Sequence, residues 1–129
     1  CIHSYQGKNV HDRSLNLQGI LHRNNFAKYI GVKYCLGVAN GTDALEIALR
    51  ALNVGKGDEV ITVSHTASAT VTSICSVGAK PVFLDVEDRY YTLDPDLLEK
   101  SITRKTKCII LVHLYGMVAD IRSIKKIIK

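Results

Sequence analysis

No hydrophobic run in this sequence is long enough to cross a bilayer. The longest, such as Cys108 to Val112, fall far short of the roughly 20 residues that a spanning helix needs. A basic-then-apolar leader is also missing, because His3, Gln6, Lys8, Asn9, His11, Asp12 and Arg13 interrupt the first stretch. There is no repeat of fixed period and no low-complexity tract. Cysteine is sparse and scattered: Cys1, Cys35, Cys75 and Cys108 form no close pair, so neither a zinc site nor a disulfide framework is expected and no metal ligand is assigned. Three of the four sit among apolar neighbours, where a reduced thiol behaves as a small hydrophobe. These absences lead to the expectation of a soluble, cytoplasmic protein with no membrane span.

Other mechanisms lack their signature as well. No G-x-G-x-x-G fingerprint and no P-loop lysine motif occurs, which removes the usual means of gripping a dinucleotide or a nucleoside triphosphate. The net charge is +5, yet the basic residues are dispersed. Their densest groups, Arg104 to Lys107 and Lys125 with Lys126, read as solvated faces, and no aromatic residues interleave with them. No nucleic-acid partner is expected.

What is present is a packed α/β pattern. The chain of 129 residues, 47% hydrophobic, has the size of one domain and ample apolar content for a core. A loose apolar stripe of Leu17, Leu21, Phe26 and Tyr29 predicts a helix over about Leu15 to Tyr29, stopped by Gly31. Strands are predicted at Tyr34 to Val38, Glu59 to Val63, Pro81 to Val86 and Lys107 to Val112. Helices are predicted at Thr42 to Leu52, Ala67 to Val77 and Asp94 to Ile102, with a last one capped by Asp120. Asp94 followed by Pro95 is a strong helix start. Short apolar strands alternating with helices imply a three-layer α/β/α domain with a largely parallel sheet. The chain begins at Cys1 without an initiator methionine, and its last helical pattern runs uncapped to Lys129, as expected for part of a longer protein.

In such sheets ligands gather at the carboxyl ends of the strands, here ANGTD, SHTAS, DVEDR and HLYG. At ANGTD a strand runs into Asn40 and Gly41, and a helix begins at Thr42 or Asp43. Unpaired N–H groups and the helix dipole suit that turn to a phosphate, which Gly41 lets approach and Thr42 can meet with a hydroxyl. The competing reading is an ordinary cap, with Asp43 and Glu46 as a capping box; the Asp43 carboxylate would repel a phosphate unless it turned aside. At SHTAS, His65 and Thr66 could meet the same ligand, or His65 could be a hydrogen-bonded structural residue. His113 and Tyr115 in HLYG could be site residues or a packed turn, and Asp85 a ligand or a loop cap.

Taken together, the segments Phe26 to Thr62, Ser64 to Val86 and Thr92 to Ile121 resemble the DegT/DnrJ/EryC1/StrS aminotransferases, pyridoxal-phosphate enzymes of fold type I. The resemblance runs from about Gly19 to the end, which divides the chain into an N-terminal segment, 1–18, that matches less well and an incomplete cofactor-binding large domain, 19–129. It implies a homodimeric enzyme that transfers an amino group from an amino-acid donor, glutamate, to a nucleotide-linked keto sugar. Gly41, Thr42 and Asp43 match the family's cofactor-phosphate turn. Ala67 stands where many members carry an aromatic ring stacked on the cofactor, so His65 becomes the candidate to supply that surface. His113, Tyr115 and Gly116 match a block that shapes the site floor. The family's Schiff-base lysine, and the aspartate that pairs with the pyridine nitrogen, lie downstream of HLYG. No catalytic residue is therefore assigned in this chain, and a chain without them is expected to be inactive by itself. The alternative is a truncated or non-catalytic relative that serves as a binding module.

Overall fold

The computed structural model describes the backbone of residues 2–4 and 13–129, and side chains at residue 19 and from residue 21 onward. Cys1 and much of the 1–18 segment lie outside the described residues. The elements run β1 (Ile2–Ser4), α1 (Arg13–Ile30), β2 (Leu36–Val38), α2 (Gly41–Ala51), β3 (Glu59–Val63), α3 (Ser68–Ser76), β4 (Lys80–Leu84), α4 (Pro95–Ser101), β5 (Thr106–Ile109), a 3-10 turn (Leu114–Gly116) and α5 (Ile121–Ile127).

The strand EVITV has apolar or β-branched residues at four consecutive positions, the pattern of a strand covered on both faces. Accordingly Val60, Ile61, Thr62 and Val63 are all buried, and β3 is central in a parallel sheet of order β4-β3-β5. Side chains alternate across a strand. Ile61 and Val63 therefore pack with Leu84, Leu93, Leu98 of α4 and Ile124 of α5, while Val60 packs on the other face with Leu49 of α2, Val54, Ile74 of α3 and Ala79. Two apolar clusters on opposite faces of one sheet make the expected three layers. Full burial of each such side chain contributes about 1.5–3 kcal/mol. Thr62, inside the sheet, spends its hydroxyl on the Ile110 carbonyl at 3.1 Å.

Helix ends follow from local chemistry. Gly78 (φ +82°) ends α3 in the left-handed region, with Ala79 N–H donating to the Ile74 carbonyl, and Asn53 (φ 55°) does the same for α2. Asp94 caps α4 by accepting from Asp96 N–H, with Pro95 at the first helical position. Asp120 caps α5 by accepting from Ser123 N–H at 3.0 Å and from the Ser123 hydroxyl at 2.7 Å. Those hydroxyl and amide bonds to Ser123 hold the Asp120 carboxyl below its ordinary range.

Several expectations need correction. The strand predicted at Tyr34 to Val38 is shorter and does not join the three-stranded sheet; β2 pairs in parallel with β1, an element that the sequence did not suggest. Of the apolar stripe predicted on α1, Leu21 and Tyr29 are exposed and Phe26 is half-buried, stacked on His22; Leu17 lies outside the described side chains, and among those described in α1 Ala27 is the buried one. Cys75 is exposed rather than buried, because it follows Ile74 around α3 and so turns away from the core. Val86 leaves β4 to pair in antiparallel fashion with Leu93, closing a small loop at the strand's carboxyl end.

Candidate functional site

The carboxyl end of β2 leads straight into α2, which begins at Gly41, one residue earlier than predicted. Asn40, in extended backbone geometry, is the N-cap. Its Oδ1 accepts from Asp43 N–H at 2.9 Å, and its Nδ2 donates to Asp43 Oδ2 at 3.1 Å. The capping box predicted between Asp43 and Glu46 does not form, because Asn40 already takes the Asp43 amide and the Glu46 carboxylate is turned forward along the helix, accepting from the Arg50 guanidinium at 2.7 Å. One side chain thus caps the helix and engages the carboxylate that conflicted with an anion. Ala44 N–H donates to the Asn40 carbonyl, so the helix ladder supplies no acceptor for Gly41 and Thr42 N–H. A Cβ at Gly41 would meet nothing within 4 Å, so packing does not demand glycine there. The open depression of about 350 Å³ beside the turn is lined by Asp43 and Glu46; two carboxylates suit it poorly to a phosphate, and the anion reading rests on the N–H donors instead.

A second group of residues lies at the neighbouring strand ends. Strand β3 leaves the sheet toward α3 on one face, and its neighbour β5 leads toward α5 on the other, so a topological switch point falls between them. His65 follows β3 and Tyr115 follows β5, and across the gap His65 Nε2 and Tyr115 Oη are hydrogen-bonded at 3.2 Å. Tyr91, from the loop after β4, brings its ring centroid to 6.3 Å from that of His65. All three side chains are exposed. Both tyrosines hold left-handed backbone, φ 57° at Tyr91 and 54° at Tyr115, which is uncommon for bulky residues.

The Tyr91 loop is fastened by Glu87, whose carboxylate accepts from the N–H groups of Arg89 (2.8 Å), Tyr90 (2.7 Å) and Thr92 (3.4 Å). Partial desolvation raises the Glu87 carboxyl, but these donors and the Arg89 charge outweigh it and hold the group below its ordinary value. Burial pushes the Cys108 thiol up, as suits an inert core thiol.

Other candidates have local duties. Ala67 is exposed and serves as the N-cap of α3 without a side-chain bond. Thr66 and Thr70 share a hydroxyl bond at 2.8 Å. Asp85 accepts from Val86 N–H at 2.8 Å, the loop-capping alternative. His113 Nδ1 accepts from Ala119 N–H at 3.2 Å, which braces the 3-10 turn. Sequence reasoning missed Asn40, although Asn before Gly at a strand-to-helix junction is a cap signal. It also missed Tyr91 and Glu87, for which no short-range pattern exists.

Comparison with known proteins agrees with this architecture. The chain is 54% identical over 101 residues to the UDP-2-acetamido-2-deoxy-3-oxo-D-glucuronate aminotransferase of Pseudomonas aeruginosa, covering 78% of this chain and 28% of that protein. It is 47% identical over 102 residues to the dTDP-3-amino-3,4,6-trideoxy-alpha-D-glucose transaminase of Micromonospora megalomicea, covering 79% of this chain and 27% of the relative. NtdA of Bacillus subtilis, solved with its bound cofactor PMP, superimposes with a TM-score of 0.80 at 35% identity, over 84% of this chain and 25% of that one. The chain therefore spans a little over a quarter of the length of these curated relatives. Residues 22–129 match the model of one family, nearly the span over which the sequence blocks carried the resemblance. By that match, and by the parallel sheet with its strand-end turn, the chain belongs to the DegT/DnrJ/EryC1/StrS aminotransferase family.

Proposed function

We propose that this chain provides the cofactor-phosphate grip, and part of the ring site, of a pyridoxal-phosphate-dependent aminotransferase. That enzyme transfers an amino group from L-glutamate to a nucleotide-linked keto sugar, in polysaccharide or amino- and deoxysugar biosynthesis. The names of the relatives support the substrate class, since they are transaminases of dTDP- and UDP-linked sugars. The intact protein is a cytoplasmic homodimer in this reading, with residues 19–129 forming part of its large domain.

The observation that carries the reading is the double duty of Asn40. By engaging the Asp43 carboxylate at 3.1 Å, it leaves the first turn of α2 to its unpaired donors. Gly41 N–H, Thr42 N–H and the Thr42 hydroxyl would hold the phosphate, assisted by the partial positive charge of the helix start. The residues present therefore fit the phosphate end of the cofactor. When bound, pyridoxal phosphate supplies an electron sink for the amino-transfer chemistry. This chain's own share is to anchor and orient it: Gly41 permits close approach, Asp43 stays tied to Asn40, and His65 and Ala67 border the space for the ring.

The test uses the intact protein, purified with pyridoxal phosphate. A yellow protein whose visible absorbance is bleached by L-glutamate is the expected result. A colourless protein that takes up no pyridoxal phosphate would overturn the reading in favour of a non-catalytic relative.

A further inference from the structure

Of the asparagines in the sequence, only Asn40 is followed by glycine. The backbone nitrogen that follows an asparagine can attack the side-chain carbonyl carbon, and the next side chain is what usually obstructs the approach. Glycine has none. Three features of the α2 turn favour that reaction. Asn40 and Gly41 are both exposed, so water reaches them. Gly41 begins α2, and the helix ladder supplies its N–H with no acceptor. A Cβ at Gly41 would meet nothing within 4 Å, so packing does not shield the nitrogen either. One restraint opposes them. The Asn40 side chain is held toward Asp43, with Oδ1 accepting from Asp43 N–H at 2.9 Å and Nδ2 donating to Asp43 Oδ2 at 3.1 Å. While both bonds last, the side chain is not free to swing onto the Gly41 nitrogen.

We propose that Asn40 is a site of spontaneous deamidation, latched by Asp43 and shielded by a phosphate bound on Gly41 N–H; the shielding rests on the function proposed above. The Gly41 nitrogen bonds to Asn40 Cγ, the Cγ–Nδ2 bond breaks, and Nδ2 leaves as ammonia with the Gly41 amide proton. Water then opens the cyclic imide. Cleavage between the Gly41 nitrogen and Cγ gives aspartate. Cleavage between that nitrogen and the backbone carbonyl carbon gives isoaspartate, which carries the chain through Cβ and Cγ. Water is consumed, ammonia is released and nothing is oxidised. Both products lose the Nδ2 donor that ties Asp43, and both add a negative charge to the turn. The change runs one way, so an enzyme left without its cofactor loses the phosphate grip as it ages.

The experiment ages the intact protein at mildly alkaline pH, with and without pyridoxal phosphate, and follows each asparagine by mass spectrometry after acidic digestion. Asn40 should convert well ahead of Asn53, which is also exposed but precedes Val54. Pyridoxal phosphate at about ten times its Kd should slow that conversion about tenfold. Asp43→Ala should hasten it about three- to tenfold, as the loss of one ordinary hydrogen bond allows. Gly41→Ala should suppress it, because a methyl group then stands beside the attacking nitrogen. Asn40→Asp is one of the products made directly, and its affinity for pyridoxal phosphate should fall about tenfold. Its unfolding stability should be nearly kept, since aspartate caps a helix as well as asparagine does. Conversion of Asn40 no faster than that of Asn53 in the cofactor-free protein would overturn the proposal and leave the aminotransferase reading intact. An Asp43→Ala variant that ages no faster would overturn the latch. Equal ageing with and without bound cofactor would overturn the shielding, and with it the α2 turn as the phosphate grip. Failure of the intact protein to bind pyridoxal phosphate would remove the function proposed above, while the rates in the cofactor-free variants still decide whether Asn40 deamidates under the control of Asp43.

Discussion

The turn at Asn40 to Asp43 and the ring group around His65 both sit at carboxyl ends of strands, but they are held in opposite ways. The turn is closed by bonds between residues three apart in the chain, so it forms wherever its strand meets its helix. The ring group depends on a bond between residues 50 apart, so it exists only when β3 and β5 lie side by side. A local device grips by backbone donors that almost any sequence with the right cap can present. A non-local device needs the whole sheet to be registered before its side chains meet.

The largest effect that separates the two comes from the core. Ile61 is fully buried in β3 beneath the switch point, and Ile61→Ala should cost about 2–5 kcal/mol in denaturant unfolding of the intact protein. Below the unfolding transition the same variant should weaken the visible circular dichroism of the bound cofactor more than phosphate affinity. Equal losses in both would erase the distinction.

Next in size is Asn40→Ala, which removes a cap worth about 1 kcal/mol and releases the Asp43 carboxylate. Affinity for pyridoxal phosphate should fall about tenfold, equivalent to about 1.4 kcal/mol. Adding Asp43→Asn should recover most of the affinity but none of the cap stability, as read by cofactor titration beside thermal unfolding.

The same contrast explains what was legible in the sequence. Helix and strand positions, the three layers and the ANGTD turn could be read because period, caps and glycines act over a few residues: Asp94 with Pro95, Asp120, and the buried EVITV run all behave as their neighbours dictate. The parallel partner of β2 could not be read, because pairing between β1 and β2 joins segments separated by a long helix. The way Tyr91 and Tyr115 meet His65 was opaque for a different reason, although Tyr115 itself stood out in HLYG. Their left-handed backbone runs against the preference of a bulky side chain, so local propensity argues against the geometry they adopt. Even within the turn, Asp43 looked like the cap until the Asn40 side chain was seen to reach it.

A smaller effect is expected from Gly41→Ala. A Cβ meets no protein atom there, and alanine is the better helix residue by up to about 1 kcal/mol, so unfolding stability should hold or rise slightly. Phosphate affinity should fall nonetheless, because the added methyl occupies the approach to the donors. Loss of stability would mean that glycine serves packing instead.

The mildest perturbation is pH. The Glu87 carboxyl is held below its ordinary value, so its contribution to the loop is complete above the ordinary carboxylate range and is lost as pH falls through the lowered value. Acidification into that region should release the Tyr91 loop and decrease its protection in amide hydrogen exchange. Glu87→Gln should show no such step.

The most direct measurement is a pyridoxal phosphate titration of the intact protein with its glycines and threonines labelled with 15N, followed by backbone amide resonances. Gly41 and Thr42 should shift most among the labelled residues, with Gly55 and Gly57 nearly still. Saturable cofactor binding that leaves Gly41 and Thr42 unmoved would contradict the assignment of the α2 turn as the phosphate grip.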